Sequence, residues 1–487
     1  MIPEQAGPEP HGDPWPRGGP RARRVLALAD DLSGAAETAA ALRRPARIVL
    51  GPAATGPPAP GEALVVDLDT RQLDAAAAAS AVREAVRGAG TGTVLMKKTD
   101  SLLRGNLAAE TAAYAEGATA LVIAPALPVA GRTVRDGVVH LHGTPLHATD
   151  AWRAEPRPAP TSVAAALGDM RTAPVPLAAV RGPGPELTER LRALALAGRR
   201  PVCDAETDAD LDAIAAAALR LGPGVRLMGT GGLAAALGRL LDTGEEGDAV
   251  AGASPDAPVS GVPPTGTTPL DGASPDGPSP DGATPDRRSA DGPSAGPGRT
   301  VTRPLLVVVG TAEPAVVAQI AQLVAVGARH TALSADLLAA PGACLPLTVD
   351  PGAVTVVSVD HTHGVRTGAA RRVVAGLART VAAAHAAADL VLTGGETARR
   401  VLDALSITHL RPVGQIHHGA VRSLASDGRT VVTRPGSYGD TGSLLLIARA
   451  LRPDDPLPKT APPVPGAEHR ASVPPPPVSP VPQGEFL

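Results

Sequence analysis

Short apolar runs alternate with alanine-rich stretches along most of the chain, and this alternation limits the folds that it can adopt. Continuous apolar runs are typical of strands buried on both faces of a parallel sheet. The alanine-rich stretches between them have the length and pattern of helices that cover such a sheet. We therefore predict an α/β fold built on parallel sheets. The predicted strands are RVLALAD (24–30), ARIVL (46–50), ALVVDLD (63–69), TVLMKKT (93–99), ALVIAPAL (120–127), VRLMGT (225–230), PLLVVVGT (304–311), HTALSA (330–335), AVTVVSV (353–359), LVLTGG (390–395) and RTVVTRPG (429–436), and the clearest helical stretches are 75–90, 208–221, 313–327 and 368–386.

Three segments interrupt this alternation because they contain almost no large apolar residues. The middle one repeats a Ser/Thr-Pro-Asp-Gly unit, and such a composition cannot bury enough surface to offset chain entropy. The chain is therefore predicted to contain two α/β domains, with the active site in the cleft between them. The predicted boundaries are 1–22 for a disordered N-terminus, 23–241 for an N-terminal α/β domain, 242–302 for a disordered linker, 303–452 for a C-terminal α/β domain and 453–487 for a disordered Pro-rich tail.

Charge and composition exclude several classes of partner. The net charge is −3 and aromatic residues make up 1% of the chain, which disfavours binding to nucleic acid or to anionic membranes. The two cysteines, Cys203 and Cys344, form neither a disulfide framework nor a metal-binding cluster. No apolar stretch approaches the roughly 20 residues that a membrane span needs. We expect a cytoplasmic protein that binds small molecules, and the oligomeric state stays open.

Two adjacent carboxylates follow the first predicted strand. Asp30 and Asp31 stand at its carboxyl end, before a turn at Ser33-Gly34 and a helix. Ligands of open parallel sheets collect at the carboxyl ends of strands. There the pair can act as a general base, orient a hydroxyl or hold Mg²⁺. A helix cap is the alternative for one of the two residues.

The segment KKTDSLLRGN (97–106) holds two of the three lysines and the single asparagine of the chain. It places Lys98, Asp100, Ser101 and Arg104 between a strand end and a helix start, where backbone N–H groups favour anions. Guanidinium groups pair with carboxylates, whereas Asp and Ser side chains bind hydroxyls. The segment therefore indicates a site for a small carboxylated polyol. A solvated helix start with an i,i+4 charge pair is the alternative.

Two further arginines follow other predicted strands. Arg71 lies in DLDTRQLD, and Arg132 lies in APALPVAGRTVRDG after a Pro-bounded turn. Each is predicted to place a guanidinium near the same edge of the sheet, on the substrate side of the cleft.

In the second half of the chain, glycines mark three junctions between a strand and a helix. Three such junctions at one edge of a sheet can surround a phosphate tail with backbone N–H donors. A P-loop or a complete G-x-G-x-x-G fingerprint is absent from all three sequences. The candidate nucleotide-binding residues are Thr311, Gly394, Gly395, Glu396, Thr397, Gly436 and Gly439.

The ordered set of motifs resembles the four-carbon acid sugar kinase family over about 24–452. These motifs are ALADDLSGA, KKTDSLLRGN, APALPVAGRTVRDG, DAETDADL, GTGGLAAAL, TGGETA and RPGSYGD. The resemblance implies a two-domain enzyme that uses ATP and Mg²⁺. Its N-terminal domain is then expected to bind threonate, erythronate or 3-oxo-tetronate, and its C-terminal domain to bind ATP for transfer to the 4-hydroxyl.

The resemblance also implies roles for individual residues. Asp30 and Asp31, with Arg71 and the Lys98–Arg104 segment, would hold the substrate, and the glycine junctions would hold ATP. The chain departs from the family pattern at four positions: Ser33 replaces Thr, Thr311 replaces Ser, Arg434 replaces Lys and Tyr438 replaces Phe. Arg434 keeps the positive charge but differs from Lys in reach and geometry.

Two alternative functions remain open from the sequence. A sensor that binds a sugar acid and a nucleotide without turnover is compatible with the change at Arg434. A nicotinamide-dependent oxidoreductase would need an acidic residue about 20 positions beyond a full glycine fingerprint. No junction in this chain combines the two features.

Overall fold

The computed structural model of this protein has the predicted α/β architecture. It describes residues 23–51, 56–153, 155–243, 303–310, 314–351, 353–360, 369–384, 387–436 and 439–453. The predicted N-terminal segment, nearly all of the predicted linker and tail, and the candidate residue Thr311 lie outside these ranges, as does Tyr438.

The elements alternate along the chain much as the apolar pattern predicts. The strands are β1 (Arg24–Ala29), β2 (Ala46–Leu50), β3 (Ala63–Asp67), β4 (Thr93–Lys98), β5 (Ala120–Ala124), β6 (Arg132–Arg135), β7 (Val138–Leu141), β8 (Thr144–Pro145), β9 (Thr172–Val175), β10 (Arg200–Cys203), β11 (Val225–Gly229), β12 (Leu305–Val309), β13 (Arg329–Ser334), β14 (Val354–Asp360), β15 (Asp389–Thr393), β16 (His409–His417), β17 (Ala420–Ala425) and β18 (Thr430–Arg434). The helices are α1 (Leu32–Ala41), α2 (Ala75–Arg87), α3 (Leu107–Ala115), α4 (Val163–Ala166), α5 (Leu177–Val180), α6 (Gly184–Leu196), α7 (Asp208–Leu219), α8 (Gly231–Thr243), α9 (Pro314–Ala325), α10 (Ala335–Leu338), α11 (Ala370–Ala384), α12 (Gly395–Ala404) and α13 (Ser443–Leu451).

The strands of both halves form one continuous sheet of 15 strands. Its order is β13-β14-β12-β15-β18-β17-β16-β2-β3-β1-β4-β11-β5-β10-β9, and β6, β7 and β8 form a separate small sheet. In the large sheet the pairs on either side are parallel, while β16 and β17 pair antiparallel with their neighbours. The apolar pattern predicts parallel sheets in each half; these two antiparallel strands and the sharing of one sheet were not predicted.

The two halves of the sheet meet where β2 pairs with β16. Only two residue pairs form this antiparallel seam, His409 with Val49 and Leu410 with Ile48. A further backbone hydrogen bond runs from Leu50 N to Thr408 O at 2.9 Å. The seam therefore links the halves through backbone N–H and C=O groups, so this pairing does not depend on particular side chains.

The core is built from alanine, valine and leucine, as the scarcity of aromatic residues requires. Strands β1, β3, β5 and β12 are buried almost throughout, with the mixed apolar sequence expected for covered parallel strands. Small residues let backbones approach closely: a methyl group on Gly238 of α8 would lie 2.5 Å from the Ala41 carbonyl of α1. Close helix packing thus replaces bulky side chains.

No helix among the described residues is both long enough and apolar enough to cross a membrane.

Candidate active site

Arg71 is the centre of a cluster of charged side chains at the carboxyl ends of β1, β3 and β4, which are neighbours in the sheet. Its Nε and Nη2 donate to Asp30 Oδ2, both at 2.9 Å. Its Nη1 lies 2.9 Å from Asp31 Oδ2, and its Nη2 lies 3.6 Å from Asp100 Oδ1. One guanidinium therefore fixes three carboxylates that come from two different strand ends.

Asp31 has two roles in this cluster. Its Oδ1 accepts a hydrogen bond from Gly34 N at 2.8 Å and caps α1, as the alternative interpretation of the motif predicted. Its Oδ2 faces Arg71 and also the start of α12 in the other half of the molecule, because a methyl group on Gly395 would lie 2.6 Å from that oxygen. The cap therefore leaves the other oxygen of Asp31 directed toward Arg71 and the start of α12.

The two adjacent carboxyls have pKa values shifted in opposite directions. Burial would raise the pKa of Asp30, but Arg71, Lys97 and Lys98 outweigh it, so the pKa is lowered. Burial raises the pKa of Asp31, and the charge of Asp30 adds to the effect, in spite of Arg71. Environments that separate the pKa values of neighbouring carboxyls are a feature of acid–base sites.

The segment after β4 forms a second group of polar contacts beside Arg71. Arg104 makes a bidentate contact with the Asp100 carboxylate: its Nε donates to Oδ2 and its Nη2 donates to Oδ1, both at 2.8 Å. Burial would raise the pKa of Asp100, but Arg104 and Arg71 hold it well below its usual value. Arg132 donates to Ser101 Oγ. The predicted substrate residues of this segment are therefore brought together, with the guanidinium groups held in place by the protein.

Lys98 lies deeper than the sequence analysis expected. Its Nζ is 3.4 Å from Glu37 Oε2 of α1 and donates to the Thr99 carbonyl at 3.0 Å, and its side chain is 6% exposed. Burial would lower the pKa of Lys98, but Glu37 and the nearby aspartates raise it. No sequence pattern pointed to Glu37, which lies in the middle of an alanine-rich helix.

Lys97 is fully buried and serves the fold. Its Nζ lies 2.7 Å from Glu110 Oε2 of α3, with both side chains at most 3% exposed. Asn106 is also a structural residue: its Nδ2 donates to the carbonyls of Thr70 at 2.9 Å and Leu73 at 2.8 Å. It therefore ties the loop that carries Arg71 to the start of α3.

The start of α12 has the features of an anion site. Gly394, which precedes it, has φ +93°, a left-handed conformation that favours glycine, and provides no side-chain cap. Gly394 offers no side-chain acceptor to the first N–H groups of the helix, and no other side chain in the described part of the chain caps them. Glu396 and Thr397 lie in this first turn, and a hydrogen bond from Gly394 N to the Arg434 carbonyl at 2.9 Å joins it to β18.

The loop between β18 and α13 carries Gly436 and Gly439, and the Gly439 carbonyl accepts a hydrogen bond from Gln319 Nε2 of α9 at 3.3 Å. Arg434 at its base is fully buried, and its Nη1 donates to Gln319 Oε1 at 2.7 Å and to Ser443 Oγ at 3.1 Å. Burial lowers the pKa of Arg434 to about 10. Its guanidinium therefore links Gln319 of α9 to Ser443 of α13, next to the loop that precedes α13.

Several buried polar atoms around the carboxylates have no hydrogen-bond partner among the described residues. They are Asp30 Oδ1, Ser33 Oγ, Thr70 Oγ1 and Thr99 Oγ1. Buried polar groups are normally paired, so these atoms mark a place where a ligand or water completes the site. Of these atoms, Ser33 Oγ lies beside the Asp31 oxygen that faces α12, since a methyl group on Gly395 would lie within 3.2 Å of both.

The described residues include no group of three or more His, Cys, Asp or Glu side chains arranged to hold a metal ion. Mg²⁺ in phosphoryl-transfer sites often uses one or two carboxylates, with waters and phosphate oxygens as its other ligands. Asp30, with its unpartnered Oδ1, and Asp31 fit an ion of that kind, which would arrive with a nucleotide.

Two family profiles match the chain, one in each half of the sequence. Residues 25–237 match the profile of a family described as a sugar-binding N-terminal domain. Residues 346–444 match the profile described as a nucleotide-binding C-terminal domain.

Curated relatives cover the chain to different extents. A D-threonate kinase of Bordetella bronchiseptica is 31% identical over 455 residues, which are 87% of this chain and 96% of that protein. A D-threonate kinase of Cupriavidus necator is 41% identical over 220 residues, which are 44% of this chain and 53% of that protein. In the latter alignment the chain spans about half the length of its relative.

The fold also matches a solved structure. A protein of Salmonella typhimurium LT2, described as a putative tRNA synthase, aligns with a TM-score of 0.63 at 19% identity. The match covers 88% of this chain and 99% of that chain. At this identity the likeness concerns the fold alone.

Proposed function

This chain belongs to the four-carbon acid sugar kinase family, and on that premise we propose that it is an ATP- and Mg²⁺-dependent kinase acting on a hydroxyl of a four-carbon acid sugar. D-Threonate is the first candidate because two relatives carry that name. The 4-hydroxyl, which is the primary alcohol, is the proposed acceptor. We place the protein in the cytoplasm, where ATP is available.

One observation carries the proposal: the Asp31 carboxylate lies between Arg71 and the uncapped start of α12. A γ-phosphate bound by the first N–H groups of α12 would lie next to this carboxylate. Phosphoryl transfer depends mostly on positioning and charge neutralisation, and this arrangement supports both.

Asp31 is proposed as the residue that accepts the hydroxyl proton. Its raised pKa makes it the better base of the pair, and its Oδ2 faces the cleft. Asp30 stays ionised and holds Arg71, which in turn fixes the direction of the Asp31 carboxylate. This assignment separates the roles of two residues that the sequence left equivalent.

The carboxylate of the acid sugar is proposed to bind near Arg104 and Arg132. Both guanidinium groups are oriented by neighbours, Arg104 by Asp100 and Arg132 by Ser101. Such pre-orientation reduces the entropy lost on binding. Arg71, Lys98, Asp100 and Ser101 complete the proposed substrate side.

The nucleotide is proposed to bind along α12 and the loop between β18 and α13. The backbone N–H groups of Gly395, Glu396 and Thr397 would hold phosphate oxygens, with Gly436 and Gly439 beside them. Mg²⁺, when bound, would neutralise charge on the phosphates. Asp30, whose Oδ1 has no partner among the described residues, is the residue of this chain that would hold it.

The test is turnover on a defined panel. ATP consumption is measured with the isomers of threonate, erythronate and 3-oxo-tetronate, and the phosphorylated position is read by NMR. We expect turnover on one isomer, a loss of about 100-fold or more in Asp31→Asn and a raised KM for the acid in Arg104→Ala. Arg83→Ala, which removes the exposed ion pair with Glu116, is the control. Binding of both ligands without turnover on any isomer would refute the kinase proposal in favour of the sensor.

A further inference from the structure

Two consecutive arginines of α12 reach across to the N-terminal half of the protein. Arg399 Nη1 lies 2.9 Å from Asp67 Oδ2 and 3.4 Å from the Asp67 carbonyl. Arg400 Nη2 donates to Asp69 Oδ2. Both arginines also contact Asp403 one turn further along α12, at 2.8 and 3.0 Å. Their side chains are therefore oriented by their own helix before they meet the other half.

The pair between Arg399 and Asp67 is buried. The Asp67 side chain is fully buried and that of Arg399 is 12% exposed. A buried ion pair depends strongly on its geometry, and removal of one partner leaves an uncompensated charge. Small displacements of α12 are therefore resisted at this point, whereas an exposed pair would tolerate them.

The aspartates belong to the loop that carries Arg71. Asp67 ends β3, and the Asp69 N–H donates to Asp67 Oδ1 at 3.2 Å, so the two carboxylates are part of one turn. The N–H groups of Thr70 and Arg71 donate to the Asp30 carbonyl at 3.1 and 3.3 Å. A displacement of Asp67 or Asp69 is thus transmitted over a few residues to the guanidinium that holds Asp31.

The same loop is also held from the C-terminal half on the other side of Arg71. Arg371 of α11 donates to the Gln72 carbonyl. The loop 67–73 is therefore contacted before and after Arg71 by helices of the half that is proposed to bind the nucleotide.

We propose that Arg399 and Arg400 are positioning residues that couple nucleotide binding at the start of α12 to acid sugar binding around Arg71. The inference rests on the proposed function, since it requires both ligands. A nucleotide that fixes the first turn of α12 also fixes Arg399 and Arg400 one turn later, and through them the loop 67–73. Coupling between two sites is reciprocal, so the acid sugar tightens nucleotide binding by the same factor.

A purely structural interface would behave differently. Loss of an interface contact lowers the free energy of unfolding, but it leaves unchanged the ratio of the acid sugar Kd values measured with and without nucleotide. The seam between β2 and β16 is of that kind, because it consists of backbone pairs and contains none of the residues proposed to bind either ligand. The ratio of Kd values is therefore the diagnostic quantity.

The experiment measures the Kd of D-threonate for the full-length protein by calorimetry, with and without saturating AMP-PNP and Mg²⁺. We expect AMP-PNP to tighten D-threonate binding by about fivefold or more in the unmodified protein. Arg399→Gln, Asp67→Asn and the double variant form a double-mutant cycle, and Arg400→Gln tests the more exposed pair. Arg83→Gln, at an exposed pair remote from the cleft, is the matched control.

We expect the effect of AMP-PNP to fall below about twofold in Arg399→Gln and to weaken in Arg400→Gln, while Arg83→Gln keeps it. Circular dichroism melts identify any variant that has lost its fold, and Arg400→Gln, at a pair that is about one-third exposed, provides the test if Arg399→Gln does not fold. Binding of both ligands without tightening, or tightening that survives in folded variants, would overturn the inference alone. Failure of both ligands to bind the unmodified protein would refute the proposed function and the inference with it.

Discussion

Replacement of Gly395 by alanine is expected to lower activity sharply. Gly395 is the first residue of α12, and its Cα lies against the carboxylate of Asp31. A methyl group there would lie 2.6 Å from Asp31 Oδ2 and 3.2 Å from Ser33 Oγ. Because ordinary van der Waals contact begins at 3.4 Å, either the carboxylate or the helix start has to move.

The size of the effect follows from these distances. The carboxylate and the helix start must separate by about 0.8 Å, although Gly34 N and Arg71 hold both oxygens of the carboxylate. A misplacement of about 1 Å at a reacting group can cost about 100-fold in rate, so we expect kcat/KM to fall by that order. Overpacking of this kind costs about 1–3 kcal/mol, so the free energy of unfolding is expected to fall as well. Urea unfolding shows whether the variant is still folded under the assay conditions, so that the loss of kcat/KM can be assigned to the displaced carboxylate.

The assay combines steady-state kinetics on D-threonate with urea unfolding of the same preparation. Gly414→Ala is the matched control, because Gly414 has no heavy atom within 4 Å of an added methyl group and no positive φ. We expect the control to keep its activity. Full kcat/KM in Gly395→Ala would refute the reasoning, since it would mean that the contact between Asp31 and α12 is not used in catalysis.

Three further outcomes are expected. Arg434→Met should lower the free energy of unfolding by about 1–3 kcal/mol in urea titrations, because it leaves Gln319 and Ser443 without their shared donor. The same variant should weaken AMP-PNP binding while the D-threonate Kd stays unchanged. Equal stability of the variant and the unmodified protein would contradict this expectation. Burial raises the pKa of Asp67 from 3.8 to about 7, against the opposing effect of Arg399. The contribution of this carboxyl to the free energy of unfolding is therefore largest below its unfolded pKa and is lost as the pH rises through about 7. The Tm of Asp67→Asn relative to the unmodified protein should therefore increase between about pH 4 and pH 8, and a decrease would refute the assignment. Asn106→Ala should raise the KM for the acid sugar with little change in the KM for ATP, because it releases the Arg71 loop from the start of α3; equal increases in both KM values would contradict a local role.

The central strands were predictable because a short apolar run in the local sequence is enough to identify a buried strand. Continuous Val/Leu/Ala runs identify covered parallel strands, and the eleven predicted strands correspond to strands of the sheet. Strand β16 was not predictable, because HLRPVGQIH contains a proline, a glycine and several polar residues. It forms a strand because β17 and β2 pair with it, and such pairing is a tertiary effect.

The candidate site was predictable in the identity of its residues and less so in their arrangement. Strand ends pointed to Asp30, Asp31 and Asp100, and the structure brings them around Arg71. The burial of Lys98 and its ion pair with Glu37 were not predicted, because no local pattern in the alanine-rich helix α1 distinguishes Glu37 from a surface residue. The contact between Asp31 and Gly395 joins residues more than 360 positions apart, and no local pattern encodes it.

The seam between β2 and β16 also affects how each half would behave alone. Each of these strands closes the exposed edge of the other half's portion of the sheet. An uncovered edge is a template for pairing with other chains, and β2, with the sequence ARIVL, has little besides Arg47 to discourage it. An isolated N-terminal half is therefore expected to self-associate through β2, so mutual edge protection is a reason for the two halves to remain in one polypeptide.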